Sequence, residues 1–132
     1  MRYDVEPMLS VAEFREVLVA SGLGERRPIE DPQRLEAMLR NAQLIVTARD
    51  GATLVGVSRA ITDFSYCCYL SDLAVRADRQ RQGVGRRLIE ETRLLAGDRA
   101  TLILVAAPAA EGYYPHIGLQ HVASAWAIPR AR

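Results

Sequence analysis

The sequence contains no lysine: all 17 of its permanently cationic side chains are arginines. That absence excludes the phosphate-binding loop that ends in Gly-Lys-Ser/Thr, because the loop needs the lysine ammonium. Cysteine is nearly absent too. Cys67 and Cys68 are neighbours, which rules out an ordinary disulfide framework and leaves two thiols expected to be buried on a strand. Aromatic residues make up 6% and net charge is +1, so the chain has neither a stacking platform nor a broad basic face for nucleic acid. No apolar run approaches the ~20 residues of a membrane span. The opening Met-Arg-Tyr-Asp-Val-Glu lacks the apolar core of a signal peptide. A cytoplasmic protein with no membrane and no nucleic-acid partner is the expectation.

Hydrophobic content of 49% and charged content of 25% are those of an ordinary globular chain. At 132 residues one domain over residues 1–132 is expected, large enough for its own core. There is no internal repeat, linker or low-complexity segment.

The chain is organised around residues 70–97. Residues 70–75, Leu-Ser-Asp-Leu-Ala-Val, read as a short apolar strand, residues 76–82 are polar and arginine-rich, and from Gly83 the apolar period becomes helical. Val84, Leu88, Ile89 and Leu95 share one helical face and Arg86, Arg87, Glu90, Glu91 and Arg93 the other, with Gly97 placed as a C-cap. The first helical turn has N–H groups without intrahelical partners and the positive end of the dipole. Gly83 and Gly85 clear side chains from those groups, and Arg81 and Arg86 flank them with charge that forks onto phosphate. The segment suits a pyrophosphate. A dinucleotide-binding Gly-x-Gly-x-x-Gly turn does not fit: Leu88 stands where the third glycine belongs, and seven residues separate Val75 from Gly83.

Elsewhere, residues 2–6 read as a first strand. Ser10 with Glu13 forms a capping box before a helix to about residue 21, with Val11, Phe14, Val17 and Leu18 inward and Gly22 and Gly24 as stops. Asp31 and Pro32 open a second helix with Leu35, Met38, Leu39 and Ala42 as its stripe. Strands are expected at 43–49, 53–62 and 67–75, the first two joined through the Asp50-Gly51 turn. In 53–62, Val55, Val57 and Arg59 alternate against Leu54, Gly56 and Ser58. A strand at 101–106 lies parallel to 67–75 because a helix crosses between them. A short helix at 109–117, stopped by Gly118, and final strands at 119–122 and 125–128 complete the reading.

Gln80-Arg81-Gln82-Gly83-Val84-Gly85 resembles the Gln/Arg-x-x-Gly-x-Gly/Ala turn of the GNAT superfamily of acyl-CoA-dependent N-acetyltransferases. A second, separate match is Tyr113-Tyr114 ahead of Gly118-Leu119, which is similar to the family's aromatic-Tyr pair before Gly-Phe, with Leu119 in place of Phe. The element order agrees from end to end. The resemblance implies an α/β fold with a mixed, mostly antiparallel sheet splayed between two parallel strands and helices on both faces. It implies acetyl-CoA as cosubstrate with no metal, and direct acetyl transfer to a primary amine, a small molecule or a protein amine. The backbones of Leu73, Ala74 and Val75 would hold the pantetheine arm. Residues Gln80, Arg81, Gln82, Gly83, Val84, Gly85 and Arg86 would hold the diphosphate, and Tyr114 would be the general acid, with Tyr113 structural.

An alkylammonium with pKa ~10 must lose a proton before it attacks. Asp72 is the named candidate for that base; Asp63, His116 and ordered water are the alternatives. A backbone N–H near Val75 is the expected donor to the thioester carbonyl. Arg26, Arg27, Arg59, Asp63 and Tyr66 are the polar features expected on the acceptor side, and their spacing names no acceptor. A non-catalytic acyl-CoA-binding module and a homodimer through the outer sheet edge are both compatible with the sequence.

Overall fold

The structure, a computed structural model, describes residues 1–132. β1 (Arg2–Val5), α1 (Val11–Ser21) and α2 (Pro32–Arg40) precede three long strands, β2 (Leu44–Asp50), β3 (Thr53–Thr62) and β4 (Cys67–Val75). α3 (Val84–Ala96), β5 (Thr101–Ile103) and the single turn α4 (Tyr113–His116) follow. One sheet runs in the order β1-β2-β3-β4-β5. Its first three pairings are antiparallel; β4 and β5, joined across α3, are parallel.

The helix boundaries follow from local chemistry. Ser10 Oγ accepts from the Glu13 N–H at 3.1 Å and Asp31 from the Arg34 N–H at 3.1 Å, while Gly22 stops α1 with φ of 89°. Phe14, Val17, Leu18, Leu35 and Leu39 then bury α1 and α2 on one face of the sheet, against Ile45, Leu54, Val57 and Ala74. α3 covers the other face, with Val84 and Leu88 against Val46, Ala48 and Val55, and Ile89 and Ala96 against Leu44, Ala60 and Leu70.

Two bulges decide which side chains face which layer. Ala48 stands opposite Gly56 and Arg49 opposite Leu54, so Val55 is the extra residue of β3. The strict alternation expected for 53–62 therefore breaks: Leu54 and Val57 join the α1 layer, and Val55 turns to α3. In β4, Arg59 stands opposite Asp72 and Ala60 opposite Leu70, which leaves Ser71 extra. Gly56 matters to the α3 layer, because a Cβ there would meet the Ala74 carbonyl and Leu88 Cδ1, each at 3.1 Å.

The last quarter of the chain departs from expectation. The strand expected at 101–106 ends at Ile103, and the helix expected at 109–117 is reduced to a turn at Pro108–Ala110 followed by α4. Pro115, inside α4, has no N–H to extend it. The strands expected at 119–122 and 125–128 do not form, and Trp126 and Ile128 are exposed. Only three residue pairs join β4 to β5, and nothing continues the ladder beyond β5. The tail instead runs back to α2, where Arg34 donates to the Arg132 carbonyl at 3.0 Å. Cys68 is buried as expected, but Cys67 is exposed.

Candidate functional site

β4 and β5 pair only from Cys67–Thr101 to Tyr69–Ile103, so beyond Tyr69 the β5 side of β4 is open. Which backbone groups face that opening follows from the ladder. The Arg76 N–H donates to the Val55 carbonyl across β3 at 2.9 Å. By antiparallel alternation Ala74 also faces β3, while Leu73 and Val75 turn their N–H and C=O to the open side. The Val75 carbonyl is taken there by Gln80 Nε2 at 2.9 Å. The free groups are thus both of those on Leu73 and the N–H of Val75. Ala74 is a correction to the expectation: its backbone belongs to the β3 ladder, and its side chain lies in the α1 core.

The open edge leads to the start of α3. Arg81 and Gly83 both adopt left-handed backbone, with φ of 65° and 83°, which turns successive N–H groups toward one point. Arg81, Gln82 and Gly83 are exposed, and no side chain caps the helix. Arg81 has no carboxylate within 4.0 Å, whereas Arg86 lies 3.3 Å from Glu90 and Arg87 lies 2.8 Å from Glu91. Gly83 has nothing within 4 Å of where a Cβ would stand; at Gly85 that position lies 3.3 Å from the Tyr113 hydroxyl. The turn is an open, cationic cradle of N–H groups, suited to a diphosphate.

Tyr113 is the residue the sequence reading missed here. Its hydroxyl stands beside the first turn of α3, 3.3 Å from where a Cβ on Gly85 would lie. Burial raises its phenol pKa, and the nearby Arg86 pulls it back. Tyr114 packs edge-on against Tyr113, ring centroids 5.3 Å apart, beside the cluster of Leu70 and Ile89. Burial raises its phenol pKa above the ordinary 10, so it holds its proton through the neutral range.

Behind the open edge stands a buried ion cluster. Asp72 has no side-chain exposure, and its two oxygens accept from Arg27 Nε and Arg59 Nε. Neither oxygen is free to take a proton from an amine, which removes the reason for naming Asp72 as the base. Arg27 also donates to the carbonyls of Ser71 and Arg26, each at 2.8 Å. Arg59 donates to Ser71 Oγ at 3.0 Å and to the Met38 carbonyl at 3.2 Å. Both arginines therefore point inward, not toward an acceptor.

The remaining candidates separate. Asp63 caps its own loop, accepting from the N–H groups of Ser65, Tyr66 and Cys67 at 2.9, 2.8 and 3.1 Å. Those bonds hold its carboxyl down at about 2, so it is a poor base at neutral pH. His116, Arg26 and Tyr66 are exposed and share no hydrogen bond with the cradle. No group of His, Cys, Asp and Glu is arranged to hold a metal ion, and no helix is long and apolar enough to cross a membrane.

Residues 20–125 match the acetyltransferase (GNAT) domain family. The chain belongs to the GNAT acetyltransferases. Solved structures of similar fold include a Staphylococcus aureus protein named a probable acetyltransferase, with TM-score 0.81, 18% identity and coverage of 99% of this chain and 98% of that one. A GNAT-family acetyltransferase of Streptococcus pneumoniae aligns with TM-score 0.76, 22% identity and 98% coverage of both chains. An aminoglycoside N-acetyltransferase in complex with coenzyme A aligns with TM-score 0.72, 13% identity and coverage of 99% and 96%. At these identities the likeness is one of fold. A comparison with curated protein sequences finds no match.

Proposed function

We propose that this GNAT domain, acting as one unit over residues 1–132, transfers the acetyl group of acetyl-CoA to a primary amine by direct attack in a ternary complex. The observation that carries this reading is the continuity of two features: free backbone groups on Leu73 and Val75 run straight into the uncapped, glycine-cleared start of α3. An extended arm with amides fits the first, as an added strand would, and a diphosphate fits the second. Gln80, Arg81, Gln82, Gly83, Val84, Gly85 and Arg86 form the diphosphate cradle. Val75 N–H and Leu73 C=O meet the arm. The thioester end then lies back toward the bulge, so the carbonyl donor is Leu73 N–H, not a donor at Val75.

In the reaction the amine lone pair attacks the thioester carbonyl carbon and the developing oxyanion is held by Leu73 N–H. The C–S bond breaks, and the sulfur takes the Tyr114 proton. With Asp72 and Asp63 both committed elsewhere, water takes one proton from the alkylammonium before attack and, after attack, carries the second nitrogen proton to the Tyr114 phenolate, which restores the phenol. The acceptor is a small-molecule amine; aminoglycosides are the acceptors named for some proteins of similar fold, and nothing in this chain's acceptor side singles them out. The expected location is the cytoplasm.

The test is incubation with acetyl-CoA and a panel of polyamines, amino acids, arylalkylamines and aminosugars, followed by product mass. A thiol dye is the wrong detector, because Cys67 is exposed. With no lysine in the chain, self-acetylation on lysine cannot mimic turnover. Tight coenzyme A binding with no acetylated product from any amine would favour a non-catalytic acyl-CoA module. Tyr114→Phe is expected to lower kcat about 10- to 100-fold with KM for acetyl-CoA little changed. Full kcat in that variant across the pH range would remove Tyr114 from the mechanism.

A further inference from the structure

We infer that Arg27 and Arg59, acting through Ser71 and Asp72, are positioning residues that aim the Leu73 N–H at the thioester carbonyl. This rests on the acetyl-transfer reading above and extends it to the layer behind the reacting edge. A bulge leaves one residue outside the ladder, so something else must hold that residue. Here the extra residue is Ser71, and arginines hold two of its three polar groups: Arg27 its carbonyl at 2.8 Å and Arg59 its hydroxyl at 3.0 Å. The next residue, Asp72, is gripped at both carboxylate oxygens by the same two side chains. Leu73 follows directly.

The backbone leading to the donor is thereby fixed from three elements. Arg27 reaches in from the turn after Leu23–Arg26, Arg59 from β3, and Arg59 is itself anchored to α2 through the Met38 carbonyl. An oxyanion donor works only if it is preorganised to within a fraction of an ångström. Two guanidiniums against one carboxylate also leave surplus positive charge behind the strand, the sign that favours an oxyanion in front of it. All the polar contacts of the cluster go to the bulge, to Asp72 or to backbone carbonyls, which is the pattern of a clamp and not of an acceptor site.

The experiment compares the parent protein with Arg27→Gln, Arg59→Lys and Ser71→Ala. Each is measured for coenzyme A affinity by calorimetry, for the carbonyl stretch of bound acetyl-CoA by isotope-edited infrared difference spectroscopy, and for kcat with whichever amine of the panel the parent protein acetylates fastest. Coenzyme A affinity is expected to stay within about twofold, because the cradle is untouched, while the carbonyl stretch moves back toward the free thioester and kcat falls about 10- to 100-fold. Ser71→Ala deletes one hydroxyl contact and is expected to shift both in the same direction by less, which keeps the test valid if an arginine variant fails to fold. An unchanged carbonyl stretch in folded variants, or affinity and kcat falling together, would overturn the inference. A parent protein that does not bind acetyl-CoA would end the acetyl-transfer reading itself; a parent that binds it with an unpolarised carbonyl would end this inference alone.

Discussion

Replacing Asp72 with alanine is expected to destabilise the protein by about 3–5 kcal/mol, more than any other single change at the site. The carboxylate is fully buried, and it is the only carboxylate that Arg59 and Arg27 share. Its own removal is not the main cost. Truncation leaves two guanidiniums close together around an emptied buried position, Arg59 only 7% exposed and without a carboxylate partner. For a chain of this size that corresponds to a drop in melting temperature of roughly 10 °C or more. A double variant, Asp72→Ala with Arg59→Met, is expected to recover part of the loss, because it removes the stranded charge together with its partner. Thermal unfolding of the three proteins tests this. A loss under about 1 kcal/mol in Asp72→Ala would mean that the cluster is solvated like a surface pair.

Gly85→Glu is expected to lower coenzyme A affinity by about 100-fold or more while leaving the fold intact. A Cβ at Gly85 would stand in the first turn of α3, 3.3 Å from the Tyr113 hydroxyl, and the carboxylate beyond it would set a negative charge beside the N–H groups proposed to hold the diphosphate and repel it. Stability should not suffer. Position 85 lies in the first turn of α3, where glycine is a poor helix former and a carboxylate is favoured by the dipole. Arg81→Ala makes the contrast: it removes one exposed, unpaired charge and is expected to weaken binding about tenfold or less, with the loss shrinking as salt is raised. Calorimetry with coenzyme A on all three proteins, beside their melting curves, checks both. Unchanged affinity in Gly85→Glu would remove α3 from the binding site.

The glycine turn that opens α3 was legible because its determinants are local. Glycines at 83 and 85, the arginines around them and the change of period from strand to helix all lie within a few residues, and each acts on the backbone next to it. Ser10 and Asp31 as caps, and Gly22 and Gly118 as stops, are local in the same way, and the structure keeps them. Ala74 was misjudged because a strand's residues look alike until the ladder says which way each amide turns. Arg27 and Arg59 were misjudged because an arginine in a loop and an arginine on a strand carry no mark of a shared partner. A weak signal did exist in Ser71-Asp72, two polar residues in succession that interrupt the alternation between Leu70 and Leu73. The tail was misread because apolar alternation at 119–128 is necessary for a strand and not sufficient: a strand also needs an edge to pair with.

The sequence by itself determined the family, the order of the elements up to α3 and the position of the uncapped glycine turn that opens α3, since each depends on residue identity over a handful of neighbouring positions. Only the tertiary structure decided that β4 parts from β5 after Tyr69, that Leu73 and Val75 and not Ala74 face the gap, and that Asp72 is an anchor held by arginines from 45 and 13 residues away in the chain. The physical reason is that strand pairing and charge pairing are contacts between segments, and their register and partners come into being only when the sheet closes.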